Sequence, residues 1–389
     1  MLKTSVGQSI LENGHDAGLE VAKMAMKGLR NAKVGMLYTS CVYNQEEVLA
    51  GAKEKMGDIP IIGCTSSGAI MTPDGIFDNE TGFAGMMVFD DKDLQVGVAI
   101  CNKRGDARKL GQKLAMDAIV NSGTNQIPNY FYMVASPKEE ESYLKGIQDV
   151  IGRVPFFGGS AADNTVNGDW KIFLNDTVVS DGCAVLFFYT DKLMGTEYTG
   201  AYRETGEAGI ITKVTDKRTM VEIDGIPALK YLAKWYDVKP KDLMGQNLLV
   251  RAILNPIGIK NPTGDFIVIR HPMIGNEDLS ANVGNDLAPG TAIMLMEATV
   301  DELIASTKKA LVACRNKIDT DPAGYFLVHC GGRKLGIGDK MGEVYRGVKT
   351  AAKGVPFLML FTFGEYGYEE HSANTCGGLM LSFTSISTK

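Results

Sequence analysis

The sequence has little of what marks membrane, secreted or metal-binding proteins. Its apolar runs are short, such as Cys183–Tyr189 and Val355–Phe361. A membrane helix needs about 20 apolar residues, so no helical span is expected. The opening residues, Met1 to Ser9, hold no apolar core of signal-peptide length. Histidine is scarce: His15, His271, His329 and His371 show no HxxH or HExxH spacing. A dedicated zinc site is therefore not expected. The seven cysteines are scattered, odd in number and without a CxxC. They read as reduced, mostly buried thiols of a cytoplasmic protein. Basic residues are outnumbered, 40 to 46, which argues against non-specific nucleic-acid binding. GxxxxGK[ST], a strand-preceded GxGxxG and GxSxG are all missing.

Glycine, by contrast, is abundant. The chain has 45 in 389 residues, against a usual ~7%. Each carries a backbone-entropy cost, so the excess asks for a reason.

A repeat supplies part of it. An apolar strand (Val34–Thr39), a helix (about Gln45–Met56) and the run Pro60-Ile61-Ile62-Gly63-Cys64-Thr65-Ser66-Ser67-Gly68 form one segment. Tyr130–Ala135, a helix (about Glu139–Ile151) and Pro155-Phe156-Phe157-Gly158-Gly159-Ser160-Ala161-Ala162-Asp163 form another, offset by 95 without a gap. Glu46/Glu141, Leu49/Leu144, Gly51/Gly146, Gly57/Gly152, Pro60/Pro155 and Gly63/Gly158 are identities. A third copy, with strand Tyr325–His329, matches Glu343–Pro356 to Glu47–Pro60. A further strand follows each copy, at Gly85–Phe89, Ala184–Phe188 and Gly378–Leu381. The recurring helical glycine (51, 146, 347) predicts close helix-on-sheet packing, and the proline opens a buried strand.

The middle of the chain differs. Gly209–Ile223 reads as strands broken at Lys217-Arg218, with further strands at Phe266–Arg270 and Ala292–Glu297. Thr299 and Glu302 form a capping box for a helix to about Arg315. A domain boundary is placed near Lys213–Arg218, in a chain of α/β to α+β class. Two packed domains are expected, built from repeated strand-helix-strand-strand units with mixed sheets. The first covers 1–215, with repeats at about 33–100 and 128–200. The second covers 216–389, with the third repeat at about 322–385.

Candidate chemistry gathers at strand ends, where open α/β sheets bind ligands. Gly63, Cys64, Thr65, Ser66 and Ser67 form one small polar loop; Gly159, Ser160, Asp163 and Asn164 form another. Gly-rich loops let backbone N–H groups approach an anion, and the competing account is a tight turn. Arg270 and Arg333 each follow an apolar strand and suit a two-pronged carboxylate clamp. Cys64 and Cys330 suit a nucleophile by position, but inert buried thiols compete. Asp163, Glu365, Glu369 and Glu370 are candidate acid–base carboxylates without a fixed spacing.

Gly63-Cys64-Thr65-Ser66-Ser67-Gly68, Phe157-Gly158-Gly159-Ser160-Ala161-Ala162-Asp163-Asn164, Cys330-Gly331-Gly332-Arg333, Phe363-Gly364-Glu365 and Asn374-Thr375 occur in that order. Together they resemble the FIST family, with its N-terminal and C-terminal domains matching the two regions above. The resemblance implies a sensory, non-enzymatic module for a small polar ligand, notably an amino acid. It marks Gly63, Cys64, Ser66, Gly68, Gly159, Asp163, Cys330, Arg333, Glu365, Asn374 and Thr375. The loops would form a donor wall, with Arg333, Glu365, Asn374 and Thr375 facing it from the second domain. No output domain precedes Lys389, so a separate signalling protein, such as a histidine kinase or chemotaxis component, is the expected partner. Two alternatives stand beside this reading. One is a haem-binding nitric-oxide sensor using His271 or His371 and acting on a partner kinase. The other is a cysteine-dependent enzyme.

Overall fold

The computed structural model describes residues 1–260 and 266–389. One connectivity occurs three times. An edge strand leads to a helix, a central strand, a second helix, a parallel strand, a hairpin and a last antiparallel strand. In the first unit these strands are Lys3–Ser9, Ala32–Thr39, Ile61–Thr65 and Ala84–Asp90. In the second they are Gln95–Asn102, Tyr130–Ala135, Phe156–Ser160 and Gly182–Tyr189. In the third they are Met194–Thr199, Pro322–Cys330, Phe357–Thr362 and Leu381–Ser387. The third unit is split. Between its edge strand and its helix Val300–Arg315 lies a separate antiparallel sheet, built from Arg203–Thr215 to Ala292–Glu297.

The units close into a ring. The second unit's hairpin, Ile172–Leu174 and Thr177–Val179, extends the first sheet beside Ile61–Thr65. The third unit's hairpin, Glu365–Gly367 and Thr375–Gly377, extends the second sheet beside Phe156–Ser160. The first unit's hairpin, Ile70–Thr72 and Gly75–Phe77, extends the third sheet beside Phe357–Thr362. Each sheet thus has six strands in the same order.

The hydrophobic pattern explains the layering. Strands covered on both faces read as near-continuous apolar runs. Val34, Met36 and Tyr38 face a core shared by all three sheets, with Tyr132, Phe157, Phe188, Phe326 and Leu360. Leu37, between them, faces the helices of its own unit. Tyr132 and Phe326 meet edge-on, with ring centroids 5.8 Å apart, a geometry aromatic pairs favour.

Three sequence expectations change. The central strands align one residue further than the prolines. Gly35, Phe131 and Tyr325 donate their N–H to the carbonyls of Pro60, Pro155 and Pro356, so the first two strands are offset by 96 and the prolines by 95. A loop absorbs the extra residue, because a one-residue slip in a strand would turn its buried face outward. The last strand of the third unit starts at Leu381, since Leu379 is left-handed, with φ +58°. The recurring helical glycines serve helix-on-helix contact. A Cβ on Gly51 would lie 1.9 Å from the His15 carbonyl, and one on Gly146 1.9 Å from that of Arg108. Gly347 has no such neighbour; its nearest approach is Lys308 Cβ, at 3.6 Å. Helix-on-sheet approach falls instead to edge-strand glycines: Gly7, Gly97 and Gly195 lie under the carbonyls of Val21, Ala118 and Cys314.

Candidate functional site

The carboxyl ends of the parallel strands meet at the centre of the ring. There the amide of Ala162 donates to the Thr65 carbonyl at 3.1 Å, that of Phe363 to Ser160 at 3.3 Å, and that of Ser67 to Phe361 at 2.9 Å. These are three equivalent bonds, one per junction between units. The structure therefore brings the 63–67 and 159–164 loops together and adds a third loop, Phe361–Phe363.

The side chains of these loops are largely engaged by the protein itself. Ser66 Oγ donates to the Ala69 carbonyl at 2.6 Å and accepts the Phe361 amide at 2.9 Å. Thr65 Oγ1 accepts the Lys171 amide at 3.0 Å. Ser160 Oγ lies 3.2 Å from Glu140 Oε1 and 2.8 Å from the Tyr366 hydroxyl. Asp163 is fully buried, and its carboxylate accepts the amides of Thr165, Val166, Gly168 and Asp169. It organises a loop. Asn164, next to it, is exposed.

Cys330, Arg333 and Glu365 come together in the third unit. Glu365 is fully buried; Thr362 Oγ1 donates to its Oε1 and the Met380 amide to its Oε2, both at 2.9 Å. Burial pushes its carboxyl up to about 8. Arg333, also fully buried, donates to the carbonyls of Gly200 (2.6 Å) and Leu303 (3.1 Å) and to Ser306 Oγ (2.6 Å). Only its Nε–H lacks a partner. Arg270 Nη1 likewise donates to the Cys376 carbonyl at 2.8 Å. Asn374 and Thr375 lie elsewhere. Asn374 Nδ2 donates to the Val154 carbonyl, before the strand that starts at Phe156, and Thr375 pairs with Gly367.

The cysteines are unpaired, and burial pushes the Cys64 and Cys330 thiols upward. His329 Nδ1 contacts the Cys330 carbonyl, not its sulfur. His271 is wedged between backbones: a Cβ on Gly284 or Gly378 would come within 2.5 or 2.3 Å of its ring. His371 is exposed. Neither histidine lines the crevice between the first and second units.

Each junction pairs the loop after one unit's central strand with the loop after its neighbour's parallel strand. At the second–third junction the space holds Arg218 from the inserted sheet. Its Nη2 donates to Glu140 (2.8 Å) and Glu141 (2.6 Å), its Nε to Asp286 (3.0 Å) and its Nη1 to the Gly284 carbonyl (2.8 Å). At the third–first junction the short helix Gly331–Ile337 fills the space, and Lys334 Nζ donates to the Ser67 carbonyl at 3.1 Å. The first–second junction is open. It forms a crevice of about 530 Å³ whose lining includes Cys41, Asn44, Glu46, Asn164, Asp169 and Lys171, a size suited to small ligands. Of the candidates drawn from the sequence, Asn164 alone lines it. The Cys41–Glu46 wall follows the central strand of the first unit, as the candidates Cys330 and Arg333 follow that of the third, and the same strand-end rule marks it.

One family model, the FIST N domain, matches residues 33–226 and another, the FIST C domain, matches residues 228–368. The chain belongs to the FIST family. FIST domains are generally sensory domains of signal-transduction proteins that bind small ligands. The family is sensory rather than catalytic. No curated protein matches this FIST chain. Among solved structures, it is similar to Thermotoga maritima PurL complexed with AMPPCP at 8% identity and TM-score 0.24, covering 99% of this chain and 72% of that one. Phosphoribosylformylglycinamidine synthase II from the same organism matches at 9% identity and TM-score 0.23, with the same coverage. At such scores the likeness carries no argument about this FIST protein. Among the described residues, no helix is long and apolar enough to cross a membrane.

Proposed function

We propose that this FIST protein is a cytoplasmic sensor that binds a small polar ligand, of the amino-acid class, in the crevice between its first and second units. It would signal through a separate protein such as a histidine kinase or chemotaxis component. One observation carries the reading: of three equivalent junctions, two are filled by the chain's own cationic side chains and the third is open. Its lining offers both signs of charge, with Glu46 and Asp169 opposite in sign to Lys171, as a zwitterion requires. The wall bearing Asn164 and Asp169 is held in shape by Asp163, which pre-organises the site.

The test is a thermal-shift screen of the full chain against the amino acids, repeated with Asn164→Ala and Lys171→Ala. Stabilisation by a ligand, reduced in both variants, is expected. A ligand whose effect both variants leave intact would move the site elsewhere.

A further inference from the structure

The filled junctions indicate what the open one takes. We infer that the crevice receives a guanidinium group, held by Glu46 and Asp169; this rests on the ligand site proposed above and narrows its chemistry. Glu46 and Glu141 occupy the same position in the repeat, the second residue of the helices Gln45–Met56 and Glu140–Ile151. Glu141 Oε2 accepts from the guanidinium of Arg218 at 2.6 Å. That guanidinium is an internal occupant of the second junction, presented by the inserted sheet. The third junction is also occupied by a cation, Lys334, against the Ser67 carbonyl and 5.5 Å from the centre of the Phe361 ring. Both filled junctions therefore hold positive charge at the carboxyl ends of the strands.

In the open crevice one of the two acceptors at the helix start differs. Glu140 is replaced by Gln45, whose amide is fully used: its Oε1 accepts from Thr39 and its Nε2 donates to the Ser40 and Tyr43 carbonyls. Asp169, on the facing wall, supplies the second carboxylate that a planar two-pronged cation needs. Lys171, beside it in the lining, suits a carboxylate elsewhere on the same ligand.

The experiment is titration calorimetry of the full chain with arginine, agmatine and citrulline, the last being a neutral near-isostere of arginine. Glu46→Gln and Asp169→Asn are the variants; both residues are exposed, and circular dichroism checks that the variants fold. Arginine and agmatine should bind, with citrulline weaker, and each variant should lose roughly 10- to 100-fold in affinity for both cations. Equal binding of citrulline and arginine, unchanged affinity in both variants, or no binding of either cation overturns the inference. Alkylation of Cys41, which lines the crevice, separates this failure from that of the sensor reading. If another amino acid protects Cys41 while arginine and agmatine do not, the site stands and the guanidinium assignment falls. If no amino acid protects it, both fall.

Discussion

Ser66 and Phe361, 295 residues apart, are joined by a 2.9 Å bond from the amide of Phe361 to the hydroxyl of Ser66. The same hydroxyl donates to Ala69, so one buried side chain ties the first unit to the third. Ser66→Ala would leave both groups unpaired in the interior. It is expected to cost about 1–3 kcal/mol and to lower the melting temperature in a thermal denaturation scan.

The helical glycines separate into two kinds. Gly146→Ala places a methyl 1.9 Å from the Arg108 carbonyl, so the helices must part, and the melting temperature should fall steeply. Gly347→Ala has room, and it should be neutral or stabilise by up to ~1 kcal/mol through helix propensity. Equal losses in the two variants would contradict this division.

Arg218→Met leaves Glu140 and Glu141 without their cation. Glu140 is buried, and burial already pushes its carboxyl upward against the pull of Arg218. Removing one partner of such a cluster costs about 3–5 kcal/mol. The loss should shrink as the pH is lowered and Glu140 takes a proton. A chemical denaturation series at two pH values measures it.

Glu365 and His271 titrate in opposite senses. The carboxyl of Glu365 is raised to about 8 from an ordinary 4.5, so its stabilising contribution is complete below 4.5 and lost as pH rises towards 8. Relative to the native chain, Glu365→Gln should therefore gain melting temperature between pH 5 and 8. The imidazole of His271 is lowered to about 4 from 6.5, first by burial and then by Arg270 and Arg218. Its contribution is present above 6.5 and lost as pH falls towards 4. His271→Gln should flatten the acid limb of the stability profile.

Asp163→Asn keeps the size of the side chain but weakens its hold on the four amides of the 165–169 loop. Hydrogen exchange in that loop should quicken. Affinity for a crevice ligand should fall although Asp163 does not line the crevice. Unchanged exchange would show that the loop is held by other contacts.

Local elements were readable because each is a matter of periodicity and capping. The helix Gln45–Met56 and the strand Tyr130–Ala135 fall at their expected bounds, and the Thr299–Glu302 capping box forms. The strand–helix–strand order of each repeat, with its shared glycine and proline, was readable too. The ring was not readable. Hairpin strands such as Ile70–Thr72 are three residues long, and nothing in three residues names the sheet they will join. Met194–Thr199 was equally hidden, because its own unit resumes only at Val300.

The sequence by itself determined the strand–helix–strand units, their repetition and the family. These follow from local patterns of apolar residues, glycine and proline. Only the tertiary structure decided what each polar residue does. Arg333 and Asp163, two promising binding residues in the sequence, spend their donors and acceptors on the protein's own backbone and, for Arg333, on the Ser306 hydroxyl as well. Glu46 and Glu141, one matched pair among six, differ because the inserted sheet brings Arg218 to one of them and leaves the other facing an open crevice. The physical reason is that a charged group's role depends on which partners the fold carries to it, and those partners lie up to hundreds of residues away.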